Sequence, residues 1–382
     1  MLPGWGGGEP VVARLLHKGL EKEGVEVVLE PSPRRSVSEL ATLALTPYDA
    51  DPFRVSQYRR RIRELHPDVL LAWYDFDCSW IVAARKERIP VIACVQIWWP
   101  TCPVGTHYIE GVGNCEGPAL AKCLRHMARA PISPNLELPF PELSPPLALA
   151  LYAKQWTRPA ALSQADAVVV PSEFMAARFR SLGYRRVHAI YDSVDSELFR
   201  PSPLPDGPKV VLYPVARSLQ ERKGYPHFRA MAETIRAQMP EVRFLVLNHT
   251  GDRLLEGTPY LTHEELAMMF RSIYLAVVPG LWDEPFGAVI AEAMSSGRPV
   301  VAYGTGGIPE VVENGVSGIL LPRGDLKGLT QAVVDLLQDE QKARRLGIAA
   351  RTRVEDHFRY QMMAARYLAL MHQLLGKESS HS

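Results

Sequence analysis

Apolar residues return every three or four positions across residues 10–20, where Val12, Leu15, Leu16 and Leu20 share one helical face and Gly24 supplies a stop. Residues 25–29 then read as a strand. The rhythm continues with a helix over 58–65 that ends at His66-Pro67, a strand over 69–73, a helix over 80–86 and a continuous apolar strand over 90–95. It resumes with a strand over 167–170, a helix opened by Pro171-Ser172 and stopped by Gly183, and a strand over 187–191. A second series follows residue 208. Strands are expected over 210–213, 243–247, 275–278 and 299–302, with helical patterns at 228–238, 266–270 and 288–295. Strands alternating with helices imply parallel sheets covered on both faces.

The Pro-rich stretch 200–208 separates the two series and reads as a linker. At 382 residues the chain exceeds what one core usually spans, so two doubly wound α/β domains with a cleft between them are expected. In such sheets ligands sit beyond the carboxyl ends of the strands, where loops meet helix N-termini.

Composition narrows the function classes. Lys and Arg number 43 against 42 Asp and Glu, so no overall field draws the protein to nucleic acid or anionic lipid. No apolar run approaches the ~18 residues needed to cross a bilayer. The first residues lack the basic and apolar regions of a secretory leader. Five cysteines in a chain of this length do not make a disulfide scaffold. A cytoplasmic protein with at most peripheral membrane contact is the expectation.

The richest chemistry lies in residues 281–294. Glu284 is placed in a loop after a buried strand, a helix is expected to begin near Phe286, and Glu292 falls over one turn inside it. Unpaired amides at Phe286, Gly287 and Ala288 favour an anion, and Gly287 permits close backbone approach. Two carboxylates flanking an anion site suit a sugar nucleotide, with one Glu on ribose hydroxyls and the other on sugar hydroxyls. The structural alternative makes Glu284 a capping or dipole-matching acid and Glu292 a solvated helix residue. The loop after the first strand of the second series carries Arg217 and Lys223, cations suited to a phosphate and to a departing anion. Its alternative is a charged surface loop.

Together, Glu284-Pro-Phe-Gly, Glu292-Ala-Met, Gly297-Arg-Pro-Val-Val301 and Gly306-Gly-Ile-Pro-Glu310-Val-Val resemble the retaining glycosyltransferases of family 4, with their two glutamates eight positions apart. Arg217 and Lys223-Gly224 are similar to that family's diphosphate-binding loop, and Asn314-Gly315-Val-Ser-Gly318 and Asp325 also fit. The resemblance implies the GT-B fold, with two Rossmann-like domains facing a central cleft. It assigns residues 1–200 to the acceptor side, 201–358 to nucleotide-sugar binding and 359–382 to a helix crossing back to the first domain. It implies that Arg217 and Lys223 hold the diphosphate and Glu284 the transferred sugar, with the Phe286 and Gly287 amides on sugar hydroxyls and Glu292 on the ribose. No metal or other cofactor is implied, because the two cations take the metal's place. The implied partners are a UDP- or GDP-hexose donor and an acceptor hydroxyl, saccharide, lipid-linked or small.

The sequence departs from the family in places. A glycine loop, Gly4-Trp-Gly-Gly7-Gly8-Glu9, resembles the donor-binding loop after the family's first strand, yet only Met1-Leu2-Pro3 precede it, so that strand is expected to be missing. Gln96-Ile97 stand where the family usually has His-Asp, and Gln96 cannot serve as acid or base. Gln96 and Asp75, the latter within Asp75-Phe-Asp77, are placed on the acceptor side. Cys102, Cys115, Cys123 and His126 leave open a structural zinc, a disulfide or reduced thiols packing a loop, with His107 as a rival ligand. His249 and His263 read as loop residues or neighbours of the nucleotide base. Rival functions are a weak sugar-nucleotide-binding partner subunit and an epimerase or hydrolase; a nicotinamide oxidoreductase is disfavoured by the lack of a Gly-x-Gly-x-x-Gly fingerprint.

Overall fold

The structure is a computed structural model that describes residues 8–30, 46, 50–73, 78–103, 105–109, 111–129, 145–215 and 221–376. The chain divides into two compact units. One comprises Met1–His107, Cys115–Tyr191 and Ala364–Ser382; the other comprises Tyr108–Asn114 and Asp192–Met363.

The first unit opens with helix α1 (Gly8–Lys22), whose Pro10 lies in the first turn, where a missing N–H costs nothing. Helix α2 (Pro52–Leu65) is capped by Asp51, which accepts from the Phe53 amide at 2.8 Å. Strand β1 (Leu70–Trp73), α3 (Ser79–Glu87) and β2 (Val91–Cys94) follow. Beyond a short hairpin that belongs to the second unit, β3 (Tyr108–Ile109) and β4 (Gly113–Asn114), come α4 (Leu120–Arg129) and α5 (Pro145–Leu162). The unit continues with β5 (Ala167–Val170), α6 (Glu173–Ser181) and β6 (Val187–Ala189). Ser172 caps α6 by accepting from the Met175 amide. The sheet is parallel, in the order β1-β2-β5-β6, and every residue of β2 and β5 is buried, as a strand covered on both faces requires.

Residues 25–29 correct the sequence expectation: they form no strand, and Val28 and Leu29 are exposed. Among the described residues β1 is the edge of this sheet, and residues 25–29 do not pair with it. An apolar alternation becomes a strand only when a neighbour takes its backbone hydrogen bonds.

The second unit contains β7 (Val210–Tyr213), a 3-10 turn (Glu221–Lys223), α7 (Tyr225–Gln238), β8 (Arg243–Val246), β9 (Glu256–Gly257), α8 (His263–Ser272), β10 (Leu275–Val278) and α9 (Ala288–Ser295). It is completed by β11 (Val300–Tyr303), α10 (Ile308–Val311), β12 (Ile319–Leu321), α11 (Leu326–Gln338), α12 (Glu340–His357) and α13 (Tyr360–Leu374). The last eleven residues of α13 belong to the first unit, where the Tyr367 hydroxyl donates to Cys94 Sγ.

The second sheet is parallel throughout, in the order β12-β11-β10-β7-β8-β9. Its core pairs these strands with helix faces such as Phe228, Met231, Ala232 and Ile235 of α7, at helical spacing. From β7 the chain moves outward through β8 and β9, then returns to β10 beside β7 and moves the opposite way. The order therefore reverses between β7 and β10, whose carboxyl ends open the crevice where such sheets bind ligands.

Two arginines, Arg298 buried and Arg351 half-buried, tie backbone into this unit. Arg298 donates to the carbonyls of Ile273, Ser296 and Pro203 and to Ser202, fixing the start of the Pro-rich stretch. Arg351 on α12 donates to Ser196, Phe199 and Ser295. Of the described helices, none is long and apolar enough to cross a membrane.

Candidate active site

Lys223 and Glu284 reach each other from the loops that leave β7 and β10. The turn carrying Lys223 ends at Gly224, whose φ of +83° is left-handed and whose added Cβ would lie 1.8 Å from the Pro279 carbonyl oxygen. Only glycine lets the two loops pass this closely. The loops are then joined by backbone bonds from Leu281 and Trp282 N–H to the Arg222 carbonyl, at 2.8 and 3.2 Å. The Tyr213 hydroxyl donates to the Lys223 carbonyl at 3.0 Å, and burial pushes its own titration up.

On this frame Lys223 Nζ donates to Glu284 Oε2 at 2.8 Å, and Trp282 Nε1 donates to the same oxygen at 2.7 Å. The ammonium also lies 4.3 Å from the centroid of the Trp282 ring, and the Arg222 guanidinium 4.7 Å from it. One indole thus holds a carboxylate at its edge and cations at its face, as its charge distribution favours. The Glu284 carbonyl accepts from Gly307 N–H at 2.8 Å, which fixes the backbone beneath the carboxylate, and Asp283 pairs with Arg323.

Helix α9 spans Ala288–Ser295, as its apolar spacing predicts, and does not begin near Phe286. Gly287, at φ +104°, forms its N-cap and no side chain accepts there, so the helix cannot start earlier. Glu284 is therefore not a capping acid. Phe286 is buried edge-to-face against Phe358. Glu292 lies one turn into α9 and is 8% exposed, so it is not a solvated helix residue. Its Oε1 accepts from His263 Nε2 at 3.3 Å, and that imidazole packs edge-on against Phe199.

The structure joins Lys223 to Glu284 and sets Phe286, Gly287, Ala288 and Glu292 along the start of the next helix. Gln96 is buried in the first unit, two residues beyond β2, and Gly8 is the first residue of α1. Arg217, Gly7 and Asp75 lie outside the described residues. Asp325 caps α11 by accepting from Gly328 N–H. His249 accepts from Gly251 N–H on Nδ1, so its Nε2 carries the proton toward the Tyr225 hydroxyl, and it orders its own loop.

Three residues of this site escape the sequence reading. Trp282 is signalled only by an aromatic two positions before Glu284. His263, which the pattern leaves as a loop residue or a neighbour of the base, instead opens helix α8. Glu221 accepts from Tyr108 and Gly111, about 110 positions away, which no local pattern foretells.

Cys102, Cys115 and Cys123 are not joined in a disulfide. Cys115 Sγ donates to the Gly117 carbonyl, and burial pushes the Cys123 thiol up and the His126 imidazole down. Among the described residues no group of three or more His, Cys, Asp or Glu side chains is disposed to hold a metal ion.

Comparison with known proteins gives the geometry its family. Residues 5–198 match the model described as Glycosyltransferase Family 4, and residues 194–353 the model described as Glycosyl transferases group 1. N-acetyl-alpha-D-glucosaminyl L-malate synthase of Bacillus anthracis is 37% identical over 97 residues, which cover 25% of this chain and 26% of that one. The chain spans less than two thirds of the length of the curated relatives it matches, from 26% to 63%. Among solved structures, sucrose-phosphate synthase from Thermosynechococcus elongatus aligns over 97% of this chain and 94% of its own, with 20% identity and a TM-score of 0.67. Anabaena Alr3699/HepE in complex with UDP and glucose aligns over 97% of both chains, with 17% identity and a TM-score of 0.62. These likenesses show the GT-B fold. The chain therefore belongs to glycosyltransferase family 4, its second half carrying the group 1 domain.

Proposed function

We propose that the chain transfers a hexose from a UDP- or GDP-sugar to an acceptor hydroxyl with retention of anomeric configuration. The observation that carries the reading is the Lys223–Glu284–Trp282 group at the switch point of the second sheet, one loop from the amides that open α9. The UDP and glucose in the HepE complex support a nucleotide-sugar donor.

In this reading Lys223, with Arg217, neutralises the diphosphate. The donor's phosphate competes with Glu284 for the ammonium and frees that carboxylate to accept from hydroxyls of the sugar. The amides of Phe286, Gly287 and Ala288 face the donor, and Glu292, oriented by His263, takes the ribose hydroxyls. The bond between the anomeric carbon and the β-phosphate oxygen breaks, and its electron pair leaves with the nucleoside diphosphate. The acceptor oxygen bonds to that carbon on the same face, and its proton passes to the departing phosphate oxygen. Such a step needs charge stabilisation more than a side-chain base, which accommodates Gln96. Residues 201–358 bind the donor, and residues 1–200, with Gln96 and Asp75, face the acceptor: a saccharide, a lipid-linked sugar or a small molecule in glycan or glycolipid synthesis.

The test is turnover of UDP- and GDP-hexoses against a panel of hydroxyl acceptors. Lys223→Ala is expected to lower it more than about tenfold, as for other lost donors to a developing anion. Activity near that of the unchanged chain would overturn the assignment.

A further inference from the structure

The turn that carries Lys223 is held from three directions. Leu281 and Trp282 bind the Arg222 carbonyl, Tyr213 binds the Lys223 carbonyl, and a distant hairpin binds Glu221. In that hairpin Tyr108 pairs with Asn114 and Ile109 with Gly113, while Gly111 lies at the bend. Although it interrupts the sequence of the first unit, it packs as part of the second. The Tyr108 hydroxyl donates to Glu221 Oε1 at 2.9 Å, and Gly111 N–H donates to Oε1 at 3.1 Å and Oε2 at 3.0 Å. Both carboxylate oxygens are thereby engaged, through charge-assisted bonds of the stronger kind.

We propose that the β3–β4 hairpin is a positioning clamp for the diphosphate site, acting through Glu221 on the placement of Lys223. Glu221 stands one and two residues before Arg222 and Lys223, and its carboxylate is the nearest acid in sequence that could swing onto either cation. Fastened to the hairpin, it leaves Arg222 and Lys223 over Trp282 and the ammonium on Glu284. Released, it would move the turn and compete with a phosphate for the same charges. Glu221 and Tyr108 are positioning residues: they act on the donor through Lys223.

The inference rests on the donor-site reading above, and the experiment separates the two. Titration calorimetry with UDP, UMP, GDP and GMP on the full chain measures how much the β-phosphate adds to affinity. Glu221→Gln, which keeps one acceptor oxygen and loses the charge, is expected to weaken diphosphate binding about tenfold and leave monophosphate binding unchanged; Tyr108→Phe, which removes only a hydroxyl, gives a smaller loss of the same kind. In a Lys223→Ala background Glu221→Gln is expected to add nothing further, because the clamp works through that lysine. Equal weakening of mono- and diphosphates, no weakening, or full additivity with Lys223→Ala would overturn the clamp. Tyr108→Phe keeps the test valid if Glu221→Gln lowers folding yield. Binding of no nucleotide by the unchanged chain would remove the donor-site reading, and the clamp's purpose with it.

Discussion

His107 shows how burial sets the behaviour of a single side chain. The Thr101 hydroxyl donates to the Trp98 carbonyl at 3.1 Å and accepts from His107 Nε2 at 2.7 Å, so the neutral ring carries its proton on Nε2. Removal from water, with the Arg178 charge nearby, brings its pKa down to about 4 from 6.5. Between those values the unfolded chain binds a proton that the folded chain refuses, so stability falls as the medium is acidified and is complete above 6.5. At its full extent this amounts to roughly 3 kcal/mol. Burial lowers His126 and His188 in the same direction. The melting temperature is expected to drop steeply from pH 7 to pH 5, and His107→Gln to flatten that slope. A slope identical in the variant would contradict the assignment.

At the scale of elements, what matters is how closely the turn after β7 passes the loop after β10. Gly224→Ala places a Cβ 1.8 Å from the Pro279 oxygen at a left-handed φ. The backbone term alone costs roughly 1–2 kcal/mol and the clash adds to it, so the variant is expected to melt several degrees lower. Because the loops also carry Lys223 and Glu284, donor turnover should fall even below the new melting point; retention of both stability and turnover would show that the loops part easily. The same crossing explains why the site was only half legible. Local pattern placed Glu284 in a loop and Glu292 inside a helix, because capping and periodicity act within a few residues. It could not show that Lys223, 61 positions earlier, meets Glu284, or that Trp282 supports both. Apolar spacing set that helix over 288–295, where it stands, whereas counting free amides from Phe286 set its start two residues early.

For the whole molecule, the donor-site proposal has a thermodynamic consequence. A nucleotide that binds only the folded chain adds about 2.7 kcal/mol at 100 times its dissociation constant, independent of any acceptor. UDP or GDP is expected to raise the melting temperature, and Glu292→Ala to abolish the rise without lowering the starting value greatly, since its partner His263 remains packed on Phe199. A rise that persists in Glu292→Ala would place the nucleotide elsewhere.

By itself the sequence determined the alternation of strands and helices and the loops on which Glu284 and Lys223 stand. Those properties depend on neighbours within a turn or two of chain, where apolar spacing, glycine and proline act directly. The tertiary structure alone decided that residues 25–29 do not form a strand, that Glu292 is buried, and that Tyr108 and Gly111 hold Glu221. Each of these depends on which distant backbone or side chain arrives as a partner, and hydrogen bonding and burial become definite only once that partner is in place.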